Sequence, residues 1–565
     1  MRPMRFFLAA AGFTLANSLL IHGAPVVLHD FEDLTGWRVS RKPAEIAEAD
    51  GAAVGKGAIR VTLPGMASLQ LTRTYLPGSH AWDRYQGVSF WVKGDGSEQF
   101  GCLALQGRYA FVTYFPLSNT EWHKLTVPWS ELVPESQVDP IGTPGSMPPS
   151  GINTIRFGSR WTIYHNNAKI PEHTFCIDQI QLEEEVAPAP PVPAPRPFAD
   201  VLELLKQRKP IRIQCMGDSI TAGTGLGNRD MERYATLVQR DLRQWLGTDD
   251  IHCLSKAVGG ARSTDARAWV PRDYVGEAPD LVTMWYGYND KSGAFTRDYY
   301  KRSLKNCVDR VLRATAGKSA VLLFATGPGC GPRFVMLDDY AEAARELAEE
   351  RGLPCFDVNR LLKGVGRDKI QDFFCDMAHP NAEGHKLIAD GLCEFLIKEA
   401  GIKTPKPAPP PRPDVPEGEA RSWPFATPET GWRFDSKEIT HHVDTEGNGA
   451  IHVDMPAPAR DHRRAYSPAL PVIPGQRYRI EADVRIESMQ DGHMGLYVCT
   501  YTDEAGTFGS VVHQVRSRPG PPRRWERFSN SFDIPEGKGS IRVLVWSNRE
   551  SSGTFQFRAV SVKPE

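Results

Sequence analysis

The chain has 565 residues, a length of three to four domains at about 150 residues each. Its 67 Lys and Arg balance 68 Asp and Glu for a net charge of −1, so there is no electrostatic case for nucleic acid or an anionic membrane as the main partner. With 41% hydrophobic and 24% charged residues, the composition excludes a mostly disordered chain.

The N-terminus has the pattern of an export signal over residues 1–23. Arg2 and Arg5 supply the positive start, and Phe6 to Leu20 is apolar and broken by small residues. Ile21-His22-Gly23-Ala24-Pro25 follows, which suits cleavage after Gly23. The alternative is an uncleaved anchor. No apolar run of spanning length occurs elsewhere. The expectation is a secreted or periplasmic protein with no stable membrane insertion once the signal is removed. Ten cysteines are thinly spread with no C-x-x-C pair, so disulfides do not make the fold; a bridge or two stays open.

Residues 24–185 read as all-β. Val88-Ser-Phe-Trp-Val92 and Phe175 to Leu182 are rich in β-branched and aromatic residues, with turns such as Gly94-Asp95-Gly96 between runs. Residues 186–197 (VAPAPPVPAPRP) hold six prolines in twelve positions. Proline favours polyproline II, at about 3.1 Å per residue, so a stiff spacer is expected here.

Residues 198–402 alternate differently. Strand candidates are Ile211 to Met216, Ile251 to Leu254, Leu281 to Tyr286, Ala320 to Thr326 and Leu353 to Val358. Helical spacing separates them: Tyr234, Leu237, Val238, Leu242 and Trp245, then Arg297 to Thr315, Leu337 to Glu350 and Ala382 to Lys398. Such alternation predicts a parallel sheet covered on both faces, with reactive groups at the strands' carboxyl ends. A second Pro-rich linker, 403–418, has seven prolines in sixteen residues. Residues 419–565 read as a second β-sandwich. In Arg477 to Glu487, Tyr478, Ile480, Ala482, Val484 and Ile486 share one face, and charged residues take the other.

Four short motifs carry chemistry. Gly217-Asp218-Ser219 follows the first strand; a serine on a tight turn there can be exposed as a nucleophile, though taken alone it reads as a solvated turn serine or a helix N-cap. Val258-Gly259-Gly260-Ala261 follows the second strand, where glycine lets a backbone N–H approach a ligand. Gly287-Tyr288-Asn289-Asp290 follows the third and offers an amide donor. Asp376-Met377-Ala378-His379 places a carboxylate three residues before an imidazole that it can orient. Asp218 reads as a structural turn residue and His385 as part of the last helix. Arg333 reads equally as a substrate contact or a solvated loop residue.

Competing motifs fail. Gly223 to Asn228 lacks the third glycine of a dinucleotide loop, Gly317-Lys318-Ser319 lacks the first glycine of a phosphate loop, and neither H-E-x-x-H nor a zinc cysteine pair occurs.

Together, Ile211 to Ala400 resembles the SGNH (GDSL-type) hydrolases, through all four motifs. The resemblance implies a flavodoxin-like α/β/α sandwich. It implies Ser219 as nucleophile with Asp376 and His379 completing a triad, and Ser219, Gly260 and Asn289 as oxyanion donors; Gly260 is chosen over Gly259. No metal motif accompanies these residues, so no catalytic metal or cofactor is expected. Residues 24–185 resemble carbohydrate-binding jelly rolls through Phe31 to Trp37, Phe90 to Asp95, Trp122 to Trp129 and Phe175 to Asp178. Residues 419–565 resemble another carbohydrate-binding sandwich through Tyr478 to Glu487, Trp525 to Phe528 and Ile541 to Trp546. Such domains often hold structural calcium, but no ligands are assignable here. The resulting expectation is a serine esterase that removes O-acetyl groups from a polysaccharide such as xylan. The alternatives are a lipase or thioesterase-like hydrolase and a non-catalytic glycan-binding scaffold.

Overall fold

A computed structural model describes residues 26–565 apart from 40–44, 64–70, 75–81, 108–109, 135–148, 159–170, 227–228, 268, 275–277, 408–419, 428–430, 435, 446, 457–462, 492–493, 502–507, 517–524, 536 and 548–551. The export-signal segment 1–23 and most of the second linker lie outside the described residues.

The first block holds two six-stranded antiparallel sheets. One is built around His173–Glu183, which pairs with Val26–His29, Ile59–Leu63 and Gly87–Lys93. The other contains Phe100–Gln106, Ala110–Pro116 and Thr154–Gly158. Val61, Phe90 and Phe175 of one sheet share a single core with Leu103, Leu105 and Phe157 of the other. Burying alternate side chains of both sheets against each other is what a sandwich requires.

The last block repeats the plan with two more six-stranded sheets. Strand Arg477–Asp491 lies between Trp525–Asp533 and Ser552–Pro564. Tyr478, Ile480, Ala482 and Val484 are buried and Ile486 is partly so, which is the face that the period-two pattern selected. They meet Leu496, Val543 and Val545 of the second sheet.

The central sheet is parallel, in the order Ile251–Ala257, Ile211–Gly217, Leu281–Trp285, Ala320–Ala325, Cys355–Asp357. Counted along the chain this is 2-1-3-4-5, the flavodoxin-like order. Leu281–Trp285 and Ala320–Ala325 are buried along their whole length, so they lack the polar-out alternation of a half-exposed strand; Ala320–Ala325 is wholly apolar and Leu281–Trp285 is apolar but for the buried Thr283. One layer, with Tyr234, Leu242 and Leu396, packs on one face of this sheet. Another, with Tyr300, Leu304 and Tyr340, packs on the other. Strand order reverses at Ile211–Gly217, and the loops that leave the carboxyl ends on either side of that point open a crevice.

The expected spacer at 186–197 is not a free tether. Val186 N–H donates to Gln86 Oε1 (3.1 Å), and Arg313 Nε donates to the Pro190 carbonyl (2.7 Å). Val192 packs on the hydrolase-side core, and Arg196 reaches Asp280 at 2.6 Å. Proline stiffness keeps the segment extended, but its free carbonyls and apolar rings find partners on the neighbouring helix and strand ends. The first sandwich itself docks there: Phe100 joins the central core, and Glu131 pairs with Arg310. Residues 403–407 also lie on the central domain, with the Thr404 carbonyl accepting from Trp245 Nε1 at 2.8 Å. Arg477 of the last sandwich bonds Glu232 at 3.1 Å. Nine cysteines are free thiols, and none of these forms a disulfide. No helix among the described residues is long and apolar enough to cross a membrane.

Candidate active site

Ser219 is presented by the end of the strand Ile211–Gly217. A Cβ on Gly217 would lie 2.2 Å from Thr221 Oγ1 and 2.9 Å from the Trp285 carbonyl, so only glycine lets the chain turn this tightly against the third strand. Asp218, not Ser219, caps the short helix Ser219–Ala222, its Oδ1 accepting the Ile220 N–H at 2.9 Å. That leaves the Ser219 hydroxyl uncommitted to the cap.

His379 arrives from the far end of the central domain, just before its last helix. It lies in a tight hairpin in which Phe374 bridges Pro380 and Cys375 N–H donates to the His379 carbonyl at 2.9 Å. Asn381 then caps Ala382–Glu399 through Gly384 N–H, at 2.9 Å. Within the hairpin Asp376 Oδ1 accepts the N–H groups of Ala378 and His379, each at 2.8 Å. Its Oδ2 meets His379 Nδ1 at 2.8 Å. On the far side of the ring, His379 Nε2 lies 2.8 Å from Ser219 Oγ. Residues 160 positions apart thus form one hydrogen-bonded line.

The electrostatics favour one direction of proton flow. Burial works against ionising Asp376, but the His379 ring and the two backbone N–H groups outweigh it and hold the carboxyl well below its ordinary range. A carboxylate on Nδ1 makes that nitrogen the protonated one and leaves Nε2 as acceptor for the serine proton. The arrangement can deprotonate an alcohol as it attacks a carbonyl carbon.

The expected oxyanion donors flank this line. Val258 to Ala261 forms a turn closed by Ala261 N–H to the Val258 carbonyl at 3.1 Å. Gly260 takes φ +76°, the left-handed value that the third position of such a turn demands. Among the described residues, neither the Gly260 N–H nor the Ser219 N–H has an acceptor. Asn289 differs. Its Nδ2 donates to Asp218 Oδ2 and to the Ala261 carbonyl, both at 3.1 Å. Both amide protons are therefore engaged, and serving an oxyanion requires sharing or exchanging one.

Two buried carboxyls that sequence reasoning left without a site role tie these loops together. Asp218 joins the serine turn to Asn289. Asp290 accepts the Ser263 N–H (3.0 Å) and Ser263 hydroxyl (2.6 Å), joining the Asn289 loop to the Gly260 loop. Burial pushes Asp218 up to about 6, against the Ile220 N–H and His379. Burial likewise pushes Asp290 up to about 7, against the Ser263 bonds. The signal for the second clamp was faint: one acid after Asn289 and one small hydroxyl after the glycine turn. His385 sits in the last helix, fully buried, with Nδ1 accepting the Tyr234 N–H at 3.2 Å. Burial pushes it down to about 3, so it stays neutral.

A sequence profile of the GDSL-like lipase/acylhydrolase family matches residues 215–387. These residues are a GDSL-type (SGNH) hydrolase domain. The GDSL match spans the Ser219 turn, both donor loops and the Asp376–His379 hairpin. An acetylxylan esterase from Xylanibacter ruminicola is 27% identical over 208 residues, covering 32% of this chain and 42% of that protein. The chain therefore spans less than half the length of this relative. A two-domain esterase active on acetylated mannans aligns at 17% identity over 65% of this chain and 94% of its own, with a TM-score of 0.30. An acetylxylan esterase from Geobacillus stearothermophilus aligns at 21% identity over 34% of this chain and 95% of its own, with a TM-score of 0.28.

Among the described residues no group of three or more His, Cys, Asp or Glu is placed to hold a metal ion. In the first sandwich Asp178 Oδ2 accepts from the backbone N–H groups of Ala53 and Val54, and Glu32 Oε1 from those of Lys56 and Gly57.

Proposed function

We propose that this protein is an exported serine esterase that removes O-acetyl groups from a polysaccharide of the acetylxylan type. The observation that carries the chemistry is the 2.8 Å contact of Ser219 Oγ with His379 Nε2, backed by Asp376 at 2.8 Å. Ser219 attacks the acetyl carbonyl while His379 takes its proton. His379 then gives that proton to the departing sugar oxygen, leaving an acetyl-enzyme. Water enters, His379 deprotonates it, and acetate leaves as the proton returns to Ser219. The N–H groups of Ser219 and Gly260 stabilise the tetrahedral oxyanion, with Asn289 joining once one of its amide protons swings from its present acceptor.

The polysaccharide substrate is supported by the acetylxylan esterase relative and by two sandwich domains that touch the hydrolase domain, through Phe100 and Glu131 of the first and Arg477 of the last. The first sandwich and its linker are docked, so any glycan they bind is presented at a fixed distance from Ser219 rather than on a swinging tether. The test offers the purified protein a short-chain aryl acetate, a long-chain aryl ester and acetylated xylan, beside Ser219→Ala. Release of acetate from the first and third, abolished by the substitution, supports the proposal. Acetate release that survives Ser219→Ala refutes the serine mechanism. Preference for the long chain replaces the reading with a lipase. Glycan capture with no hydrolysis replaces it with a scaffold.

A further inference from the structure

We propose that Arg333 and Tyr288 form a carboxylate-binding subsite at the rim of the catalytic cleft, so that the preferred glycan carries a hexuronic acid near the acetylated sugar. The inference rests on the polysaccharide reading above.

Arg333 lies in the loop after the strand Ala320–Ala325, and its Nη1 donates to the Tyr288 hydroxyl oxygen at 2.9 Å. Both ends of that contact are fixed to the cleft. Tyr288 precedes Asn289 in the chain. The Arg333 loop lies on the catalytic hairpin: Cys330 N–H donates to the Met377 carbonyl at 3.2 Å, and Cys330 Sγ to the Asp376 carbonyl at 3.2 Å. A Cβ on Gly329 would stand 3.1 Å from both Arg333 Cβ and the Met377 carbonyl oxygen, so the two segments touch.

The cation at this rim has no acid to answer it. Arg333 is exposed, and among the described residues it pairs with no carboxylate. Elsewhere on the domain, Arg297, Lys301, Arg345 and Arg351 all hold Asp or Glu partners. Asp376, the nearest acid in the hairpin, is committed to His379 and the backbone. A second guanidinium without a carboxylate partner among the described residues, Arg367, lies 5.6 Å from the ring centre of Phe334, the residue after Arg333.

The chemistry selects a carboxylate. The Tyr288 oxygen accepts from Nη1, so its own proton is directed elsewhere and can be donated. Burial raises Tyr288 above its ordinary range although Arg333 pulls the other way, so that proton is retained. The guanidinium keeps Nε and Nη2 for a planar, bidentate acceptor. A neutral acetyl ester needs no cation there, because its developing charge falls on the oxyanion donors.

The experiment reads competitive inhibition of aryl-acetate hydrolysis by two xylo-oligosaccharides of equal length, one with a glucuronic acid branch and one neutral. Succinate serves as a bare carboxylate. The wild type should bind the acidic oligosaccharide about tenfold more tightly than the neutral one. The ratio should shrink in 1 M salt. Arg333→Gln should bring it to about one, with Arg333→Lys between. Equal inhibition by both sugars in the wild type, or a ratio that Arg333→Gln leaves intact, overturns the subsite. Inhibition by succinate as strong as by the acidic oligosaccharide overturns the sugar-borne assignment. Because the readout is aryl acetate, failure of acetylated xylan as a substrate would overturn the polysaccharide reading separately, while the ratio still decides the subsite.

Discussion

Replacing Asp376 by Asn should leave the hairpin standing and remove the base. Oδ1 accepts two backbone N–H groups at 2.8 Å, and an amide oxygen can keep both. The amide nitrogen must then face His379 Nδ1, where Oδ2 now lies at 2.8 Å. A donor at that position forces Nδ1 to be the bare nitrogen and puts the ring proton on Nε2. Nε2 then donates to Ser219 Oγ instead of accepting from it. The wrong tautomer costs about 10⁴ in kcat, or roughly 5.5 kcal/mol of activation energy. Asp376→Ala loses more: it also strips both backbone donors, each charge-assisted bond being worth about 1.5–3 kcal/mol. The assay is kcat on an aryl acetate at pH 7 for both variants, with thermal melting alongside. The expected result is a near-native melt for Asp376→Asn, a lowered one for Asp376→Ala, and a severe rate loss in both. An Asp376→Asn variant within tenfold of the wild type would refute the assigned proton path.

Gly260→Ala forces an L side chain into φ +76°, which costs about 1–2 kcal/mol unless the turn relaxes and carries the N–H away. A fall of about a hundredfold in kcat with KM little changed is expected, and a similar fall for Asn289→Ala; unchanged kcat in either removes that donor from the oxyanion site. Asp218 and Asp290 titrate upward on folding, to about 6 and about 7. Their stabilisation is full below the ordinary Asp value of about 3.9 and is lost as pH rises through those folded values. Urea midpoints should therefore decline between about pH 4 and pH 7 and level off above, and Asp290→Asn should flatten that decline; a midpoint insensitive to pH in the wild type contradicts the burial argument.

The primary structure settled whatever local periodicity and composition can encode. Alternation in Arg477 to Glu487 chose a strand and its buried face, and the largely apolar runs at 281 and 320 chose central parallel strands. Short motifs at strand ends named Ser219, Gly260 and Asn289, and one just before the last helix named Asp376 and His379, because the chemistry of each position narrows the residue type. Other features were illegible because they arise only when distant segments meet. Both protons of Asn289 are taken by Asp218 and Ala261. Asp290 holds Ser263 across 27 positions. The proline-rich segment lies down on its neighbour instead of standing off. A one-dimensional pattern records which groups are available to bond, whereas packing decides which of them find each other, since hydrogen-bond partners and burial are set by distances in space.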